Sequence, residues 1–121
     1  MSAADPITTS VAHLAGVTVL NIGGEIDLST APAFAAAITA ALDEDPPVLV
    51  IELSEVSFMA SVGLRILVAT HEKVSKSAQV AIVANNPATS RPIQLTGLDN
   101  VISVYPTLND ALIAVGAAPR N

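Results

Sequence analysis

The chain has 121 residues, of which 51% are hydrophobic and 13% charged, so it fits one globular domain and not a disordered segment. Its formal net charge of −6 disfavours nucleic acid and anionic membrane surfaces as partners, because both attract cationic proteins. It contains no cysteine, which excludes disulfide control, thiolate metal sites and cysteine nucleophiles.

The start of the chain gives no indication of export. Residues 1–6 lack the basic region and apolar run of a signal peptide, and no apolar stretch reaches the roughly 20 residues that span a membrane. We therefore expect a cytoplasmic protein with a single domain over residues 1–121 and an ordered core of about residues 6–116.

The N-terminal part of the chain predicts a β-hairpin. Residues 7–14 and 17–22 are rich in Val, Ile and Thr, and a two-residue alanine–glycine turn separates them. Gly23 and Gly24 follow the second run, and their low strand propensity predicts that the regular strand breaks there.

Residues 30–42 predict the first helix. Ser29 or Thr30 can cap its first turn, and Pro32 is tolerated there because its missing N–H would have no partner within the helix. The acidic and proline-rich residues 43–47 end the helix and predict a solvated loop.

The middle of the chain predicts a buried strand and a long helix. Residues 48–51 form a continuous apolar run, which is typical of a strand buried on both faces. An unusually apolar loop leads from this strand to a helix over residues 61–77. The expected inward face of that helix consists of Leu64, Leu67, Val68, His71 and Val74.

The remaining elements alternate between strand and helix. Residues 80–83 predict a buried strand, and Asn86 caps a short helix that ends at Gly97. Residues 101–104 predict a last strand, and Thr107 opens a terminal helix. The order β-β-α-β-α-β-α-β-α predicts a small α/β domain, with a mixed sheet of four to five strands, about four helices and right-handed crossovers.

The sequence offers no chemistry typical of an active site. His13 and His71 are too isolated to form a metal site, and packing explains His71 better than catalysis does. No glycine-rich loop carries a phosphate-binding lysine, and no base is paired with an activated hydroxyl. We therefore predict neither an enzyme nor a bound metal or cofactor.

Ser61 lies at the predicted start of the second long helix. Its hydroxyl can accept a hydrogen bond from the N–H of Gly63 or Leu64, and such a cap contributes about 1 kcal/mol. A glycine in the first helical turn costs up to about 1 kcal/mol relative to alanine, and it helps where another backbone must come close, so Gly63 speaks mildly against a passive cap.

Phosphorylation is the other interpretation of Ser61. A phosphoserine carries about −1.5 to −2 charges, which the free N–H groups and dipole of a helix N-terminus tolerate. The fold would survive, while a partner docked over Ser61 would meet new bulk and charge. The segment by itself leaves both interpretations open and favours the cap.

Residues 24–31 read GEIDLSTA and residues 53–64 read LSEVSFMASVGL, and these two stretches resemble the bacterial STAS-domain anti-sigma factor antagonists, in particular those of the actinobacterial sigma-F regulatory type. Residues 24–31, GEIDLSTA, are similar to the family pattern G-E-[LI]-D-x-x-[TN]-A. Residues 53–64, LSEVSFMASVGL, are similar to L-x-x-[VL]-x-[FY]-[ML]-D-S-[ST]-G-[LI]. The segment 87–98 fits a third family pattern loosely, and element order and length agree over nearly the whole chain.

The resemblance implies a STAS fold and a switch in protein binding. The unmodified antagonist would bind an anti-sigma factor that is also a serine kinase of the histidine-kinase-like ATPase fold, and so free a sigma factor for transcription. That kinase would phosphorylate Ser61 with its own ATP, and a serine phosphatase would reverse the modification. The implied partner-binding residues are Asp27, Ser29, Thr30, Met59, Ala60, Ser61, Val62 and Gly63.

Two points stay open at this stage. Asp27 is equally well explained as a residue that fixes the turn before the first helix. Many family members have aspartate immediately before the serine, whereas this chain has Ala60, which could weaken partner binding or alter the rate of phosphorylation. The alternatives to the switch are a STAS scaffold or subunit of a signalling or transport assembly, a small-ligand-binding STAS domain, and an enzyme of unknown type.

Overall fold

The computed structural model describes residues 7–74 and 76–116, so the first residue of the expected core, Pro6, lies outside the described residues. The observed order of the elements confirms the predicted α/β arrangement. The elements are β1 (Ile7–Leu14), β2 (Val17–Ile26), α1 (Ala31–Leu42), β3 (Val48–Met59), α2 (Ser61–Val74), β4 (Gln79–Val83), α3 (Pro87–Thr96), a 3-10 turn (Leu98–Asn100), β5 (Ser103–Tyr105) and α4 (Leu108–Ala114).

The five strands form one mixed sheet in the order β1-β2-β3-β4-β5. β1 and β2 are antiparallel and form the predicted hairpin, and the later neighbours are all parallel. Both turn residues of the hairpin, Ala15 and Gly16, have positive φ, at 52° and 82°. This conformation matches the right-handed twist of the two strands that it joins.

The sheet buries a different core on each face. On one face α1, α2 and α3 contribute Phe34, Leu67 and Ile93 to a cluster with the strand residues Leu49 and Ile51. α4 covers the other face. Its buried residue, Ala111, packs there with alternate residues of the strands: Val17, Val19, Val50, Ala81 and Val83. The central strands are therefore buried on both sides, as the apolar run at residues 48–51 predicts.

β2 and β3 are longer than the sequence predicts. The expected strand break at Gly23 and Gly24 is wrong, because β2 continues to Ile26 with shifts of register on either side of the glycines. A Cβ atom at Gly23 would lie 2.7 Å from the hydroxyl of Thr8 and 3.2 Å from the Cβ of Glu55. The glycine therefore permits close strand packing at this bulge and does not end the strand.

The segment interpreted as an apolar loop, residues 52–60, is largely strand. β3 continues to Met59 and pairs with the end of β2, where Ile26 lies opposite Met59. On its other side, β3 passes beyond the end of β4, whose last paired residue is Val83. The side-chain nitrogen of Asn86 donates to the carbonyl oxygens of Ser54 and Val56, at 3.1 Å each, and so satisfies the strand edge that β4 leaves open.

Several smaller boundaries also differ from the predictions. α2 ends at Val74, and Lys76 and Ser77 lie in a turn, so the helix is shorter than the predicted 61–77. The last strand begins at Ser103 and not at Val101, because the N–H groups of Val101 and Ile102 both donate to the carbonyl of Leu98 at the start of the 3-10 turn. Among the described residues, no helix is both long and apolar enough to cross a membrane.

Candidate functional site

The carboxyl ends of β2 and β3 lie side by side and carry the residues that the sequence singles out. The backbone N–H of Ala60 donates to the carbonyl of Ile26 at 2.8 Å, which holds the two chain segments together immediately after their strands. Residues 27–30 then lead into α1, and Ser61 begins α2. This edge is where binding sites of parallel sheets usually form, because the loops that leave neighbouring strands meet there.

Asp27 organises the turn between β2 and α1. Its carboxylate oxygen Oδ1 accepts hydrogen bonds from the Ser29 hydroxyl at 2.7 Å, the Ser29 N–H at 2.9 Å and the Thr30 N–H at 3.1 Å. The Thr30 hydroxyl in return accepts from the Asp27 N–H at 2.9 Å and donates to the carbonyl of Glu25 at 2.8 Å. The interpretation of Asp27 as a turn-fixing residue therefore has direct structural support.

The same contacts favour the ionised form of Asp27. The hydrogen bond from the Ser29 hydroxyl is the largest cause, followed by that from the backbone N–H of Thr30, and together they hold the pKa of Asp27 below its ordinary value of 3.8. The carboxylate is therefore negatively charged at neutral pH.

Ser61 is exposed, and it is the first residue of α2. The sequence predicts it as the capping residue, which would lie one position before the helix. Ala60 precedes the helix, and its carbonyl accepts from the Gly63 N–H at 2.9 Å. The expected bond from the N–H of Gly63 or Leu64 to the Ser61 hydroxyl is not observed. Within the part of the chain that the structure describes, this hydroxyl makes no hydrogen bond, and so it is available to an incoming group.

Gly63 explains why the helix can begin so close to the strands. A Cβ atom at this position would lie 2.9 Å from Cγ2 of Ile26 and 3.1 Å from Cγ of Met59. The atoms that come close to this glycine belong to side chains at the ends of β2 and β3, and not to another backbone as the sequence suggests. Gly63 contributes to the position of Ser61 through packing.

The predicted partner-binding residues divide into a surface group and a buried group. Ser29 and Ser61 are exposed, and Asp27, Ala60 and Val62 are half-buried. The side chains of Thr30 and Met59 are only 3% and 5% exposed, and Gly63 is buried as well. The surface group can contact a partner directly, whereas the buried group can affect binding only through the positions of its neighbours.

The structure adds two apolar residues that the sequence analysis did not select. Leu28 is 81% exposed between Asp27 and Ser29, and Phe58 is 50% exposed near the end of β3. A leucine inside a polar turn and an aromatic residue before the buried Met59 were the available sequence indications. Exposed large apolar side chains are typical of a protein-binding surface.

A groove of about 440 Å³ begins at Ser61 and runs between α2 and the segment that follows α3. The α2 wall contains apolar side chains with Arg65 and Glu72 among them, whereas the lining of the opposite wall carries no charged residue. The groove is lined by Ser61, Leu64, Arg65, Val68, Ala69, Glu72, Thr96, Gly97, Leu98 and Val101. Across residues 7–74 and 76–116, no three His, Asp or Glu side chains come together where they could hold a metal ion.

Comparison with known proteins identifies the family. The family model of the STAS domain matches residues 8–111, which is most of the chain. The chain belongs to the STAS-domain family. Over 115 residues it is 51% identical to the anti-sigma-F factor antagonist RsfB of Mycobacterium tuberculosis, a match that covers 95% of this chain and 94% of that protein.

Solved structures agree with this STAS assignment. An anti-sigma factor antagonist from Mycobacterium paratuberculosis superimposes with a TM-score of 0.89 at 54% identity, over 96% of this chain and 99% of that one. The phosphorylated form of SpoIIAA, a Bacillus cell fate determinant, superimposes with a TM-score of 0.65 at 17% identity, over 89% and 99% of the two chains. The second similarity concerns the fold alone.

Proposed function

We propose that this STAS domain is an anti-sigma factor antagonist that is controlled by phosphorylation of Ser61. In its unmodified form it binds an anti-sigma factor of the serine-kinase type, which then releases a sigma factor for transcription. The observation that carries the proposal is the exposed Ser61 hydroxyl, without a hydrogen-bond partner among the described residues, next to the turn of Asp27. The similarity to RsfB supports the choice of partner.

The binding surface combines an apolar part with a charged part. The exposed Leu28 and the half-buried Val62, which follows Ser61, supply apolar area, and the ionised Asp27 supplies a fixed negative charge. Since the carboxylate is already held by the backbone of its own turn, little conformational entropy is lost when a cationic or N–H group of the partner binds it. A preorganised surface of this kind fits a partner that is bound and released repeatedly.

The phosphoryl transfer uses only the Ser61 hydroxyl of this chain as a reactant. The Ser61 oxygen attacks the γ-phosphorus of ATP held by the partner, and the bond from that phosphorus to the β,γ-bridging oxygen breaks. ADP leaves with the electron pair, and the hydroxyl proton goes to a base of the partner. Ala60 places no carboxylate beside the acceptor, so the base that takes the proton belongs to the partner.

The product differs from the unmodified protein in charge and bulk at one point of the surface. The phosphate brings about −1.5 to −2 charges to an area that already contains Asp27. A partner surface that is complementary to one carboxylate and an apolar patch then meets excess negative charge and a desolvation cost. Binding weakens while the fold is retained, and a serine phosphatase restores the binding form.

The first test incubates the protein with ATP and the cognate anti-sigma factor of the source organism. Mass spectrometry of the incubated proteins is expected to find one phosphate on wild-type protein, at Ser61, and none on Ser61→Ala. Ser77→Ala is the matched control, because Ser77 is also exposed but lies in the turn beyond α2, and this variant should accept one phosphate. Phosphorylation at another residue, or none at all, would contradict the switch.

The second test measures binding to the same anti-sigma factor by calorimetry. Ser61→Ala should bind within about threefold of wild type, whereas Ser61→Glu should bind at least tenfold more weakly, which corresponds to about 1.4 kcal/mol. Equal binding by both variants would exclude charge at Ser61 as the control. A protein that binds but is never phosphorylated would instead be the constitutive STAS scaffold.

A further inference from the structure

Arg65 lies four residues after Ser61 on α2, and both side chains line the same end of the groove. Residues four apart on a helix are neighbours on its surface, with Cβ atoms about 6 Å apart. The guanidinium can therefore reach over the first turn of the helix to the Ser61 oxygen. Arg65 is exposed, so its side chain is free to rotate into this position.

No ion pair to Arg65 is found in the region that the structure describes. The ion pair found there, between His13 and Glu44 at 2.9 Å, belongs to another part of the molecule. Glu72 also lines the groove but lies seven residues further along α2, which is about 10 Å along the helix axis. Arg65 thus provides a positive charge beside an acceptor hydroxyl, without an ionic partner within the described residues.

We propose that Arg65 is the receptor for the phosphate on Ser61, and holds it over the first turn of α2 at the entrance of the groove. The inference rests on the proposed function, because it concerns the product of Ser61 phosphorylation. Guanidinium and phosphate match as a two-pronged hydrogen-bonded pair, which makes arginine better suited than lysine to this position. The pair fixes a group that would otherwise move with the serine side chain.

The position of the bound phosphate decides what it obstructs. Held by Arg65, it lies along α2 and blocks the entrance of the apolar groove, in addition to adding charge near Asp27. Arg65 also changes from a cation without an ionic partner among the described residues to one that is paired with the phosphate. A partner surface that contacts Arg65 therefore loses a positive charge at the moment when Ser61 gains a negative one. Arg65 acts as a positioning residue.

The decisive experiment uses protein with phosphoserine inserted at position 61 during translation, so that no kinase is needed. A ³¹P NMR titration measures the second pKa of the phosphate in the wild-type sequence and in Arg65→Gln. The acidic groups on the elements around the phosphate, which are Glu25 in β2, Asp27 after β2 and Glu72 on α2, are the same in both proteins. The N–H groups at the start of α2 are also common to both, so the difference reports the guanidinium alone.

We expect the pKa of the phosphate to be about 0.3 lower in the wild-type sequence than in Arg65→Gln, because the guanidinium favours the doubly charged phosphate. Arg65→Lys should fall between the two, because it keeps the charge and loses the two-pronged geometry. Lys73→Gln is the matched control, since Lys73 is an exposed cation on α2 about 18 Å from Ser61 along the axis. The phosphate pKa in Lys73→Gln should equal that in the wild-type sequence.

A second measurement follows the Arg65 Nε–H resonance, which should move when phosphoserine replaces Ser61 in otherwise wild-type protein. Equal phosphate pKa values in the wild-type sequence and Arg65→Gln, or an unchanged Arg65 resonance, would contradict the proposed pairing of Arg65 with the phosphate. Failure of the proposed function appears separately, as a kinase that does not modify Ser61. The inserted phosphoserine still reports on Arg65 in that case.

Discussion

Asp27 stabilises its own turn and also lies partly at the surface. Its Oδ1 atom holds the Ser29 hydroxyl and two backbone N–H groups, while the residue remains half-buried next to the segment that carries Ser61. The two interpretations of this aspartate that the sequence leaves open are therefore compatible. The turn keeps the carboxylate ionised and fixed, and a fixed ionised group is what a binding surface requires.

The lowered pKa of Asp27 has a consequence for stability. A carboxyl group whose folded pKa is depressed contributes stability above its unfolded pKa of about 3.9, and this contribution is lost as the pH falls through the folded pKa. Asp27→Asn keeps the Oδ1 acceptor and removes the titration. We expect wild type to exceed the variant in free energy of unfolding at pH 6, and the difference to shrink as the pH falls from about 5 to below 3.

Urea unfolding at pH 6 and at pH 3 measures this difference. Asp99→Asn serves as the control, because Asp99 is an exposed acidic residue for which no such set of hydrogen bonds is found among the described residues. The difference in free energy of unfolding between wild type and Asp99→Asn should change less between pH 6 and pH 3. Parallel pH profiles for wild type and Asp27→Asn would show that the contacts do not favour the ionised carboxylate.

At the scale of elements, the extension of β3 determines where Ser61 lies. Seven residues of this strand, 53–59, continue past the last pair with β4, and they gain support from β2 on one side and Asn86 on the other. Asn86 also begins α3, since its side-chain oxygen accepts from the Ala88 N–H at 2.9 Å. One side chain therefore joins the start of α3 to the strand that leads into α2.

Asn86→Ala should accordingly destabilise the protein. It leaves the Ser54 and Val56 carbonyls without their donor and removes the helix cap, so we expect a loss of about 2 kcal/mol in the free energy of unfolding. Asn86→Asp keeps the cap acceptor but removes both donated bonds, and should also destabilise the protein. The neighbouring Asn85→Ala is the matched control, since Asn85 is exposed and its side chain donates to the Ser54 hydroxyl at 3.2 Å.

Chemical denaturation of the three variants decides the point. Asn85→Ala should lie within about 0.5 kcal/mol of wild type, as expected for a surface substitution. If Asn86→Ala were equally mild, the strand extension would be held by β2 alone.

At the scale of the whole molecule, the order of the strands gathers the site at one edge. Because parallel strands follow one another across the sheet, the segments after β2 and β3 emerge as neighbours, and α1 and α2 begin there on the same face. The core lies behind this edge, in the buried residues of both faces of the sheet. The exposed Ser61 hydroxyl is thus carried by a rigid scaffold that does not depend on it.

Modification of Ser61 should therefore leave the molecule folded. We expect the free energy of unfolding of Ser61→Glu to differ from that of wild type by less than about 0.5 kcal/mol, with an unchanged dependence on urea. Amide NMR shifts should change near residues 27–30 and in the first turn of α2. Ala111→Glu, which places a charge in the buried contact of α4, is the contrasting variant and should unfold far more easily. Shifts spread over α3 or α4 in Ser61→Glu would contradict a rigid scaffold.

The sequence by itself determined the class and order of the elements. The apolar run at residues 48–51 predicted a buried strand. Capping residues and glycines marked the ends of the helices, as at Asn86, Gly97 and Thr107, whose hydroxyl accepts from the Asp110 N–H. These signals are local, because they depend on neighbours along the chain. The resemblance of residues 24–31 and 53–64 to a known family then directed attention to Ser61.

Only the tertiary structure decided how the site is built. The continuation of β2 through two glycines depends on the neighbouring strands, and the burial of Thr30, Met59 and Gly63 depends on how α1 and α2 pack on the strand ends. The Ser61 hydroxyl has no hydrogen-bond partner among residues 7–74 and 76–116, because Ser61 is the first residue of α2 and not the residue that caps it. Such features depend on contacts between residues distant in sequence, and composition and spacing carry no information about the distances involved.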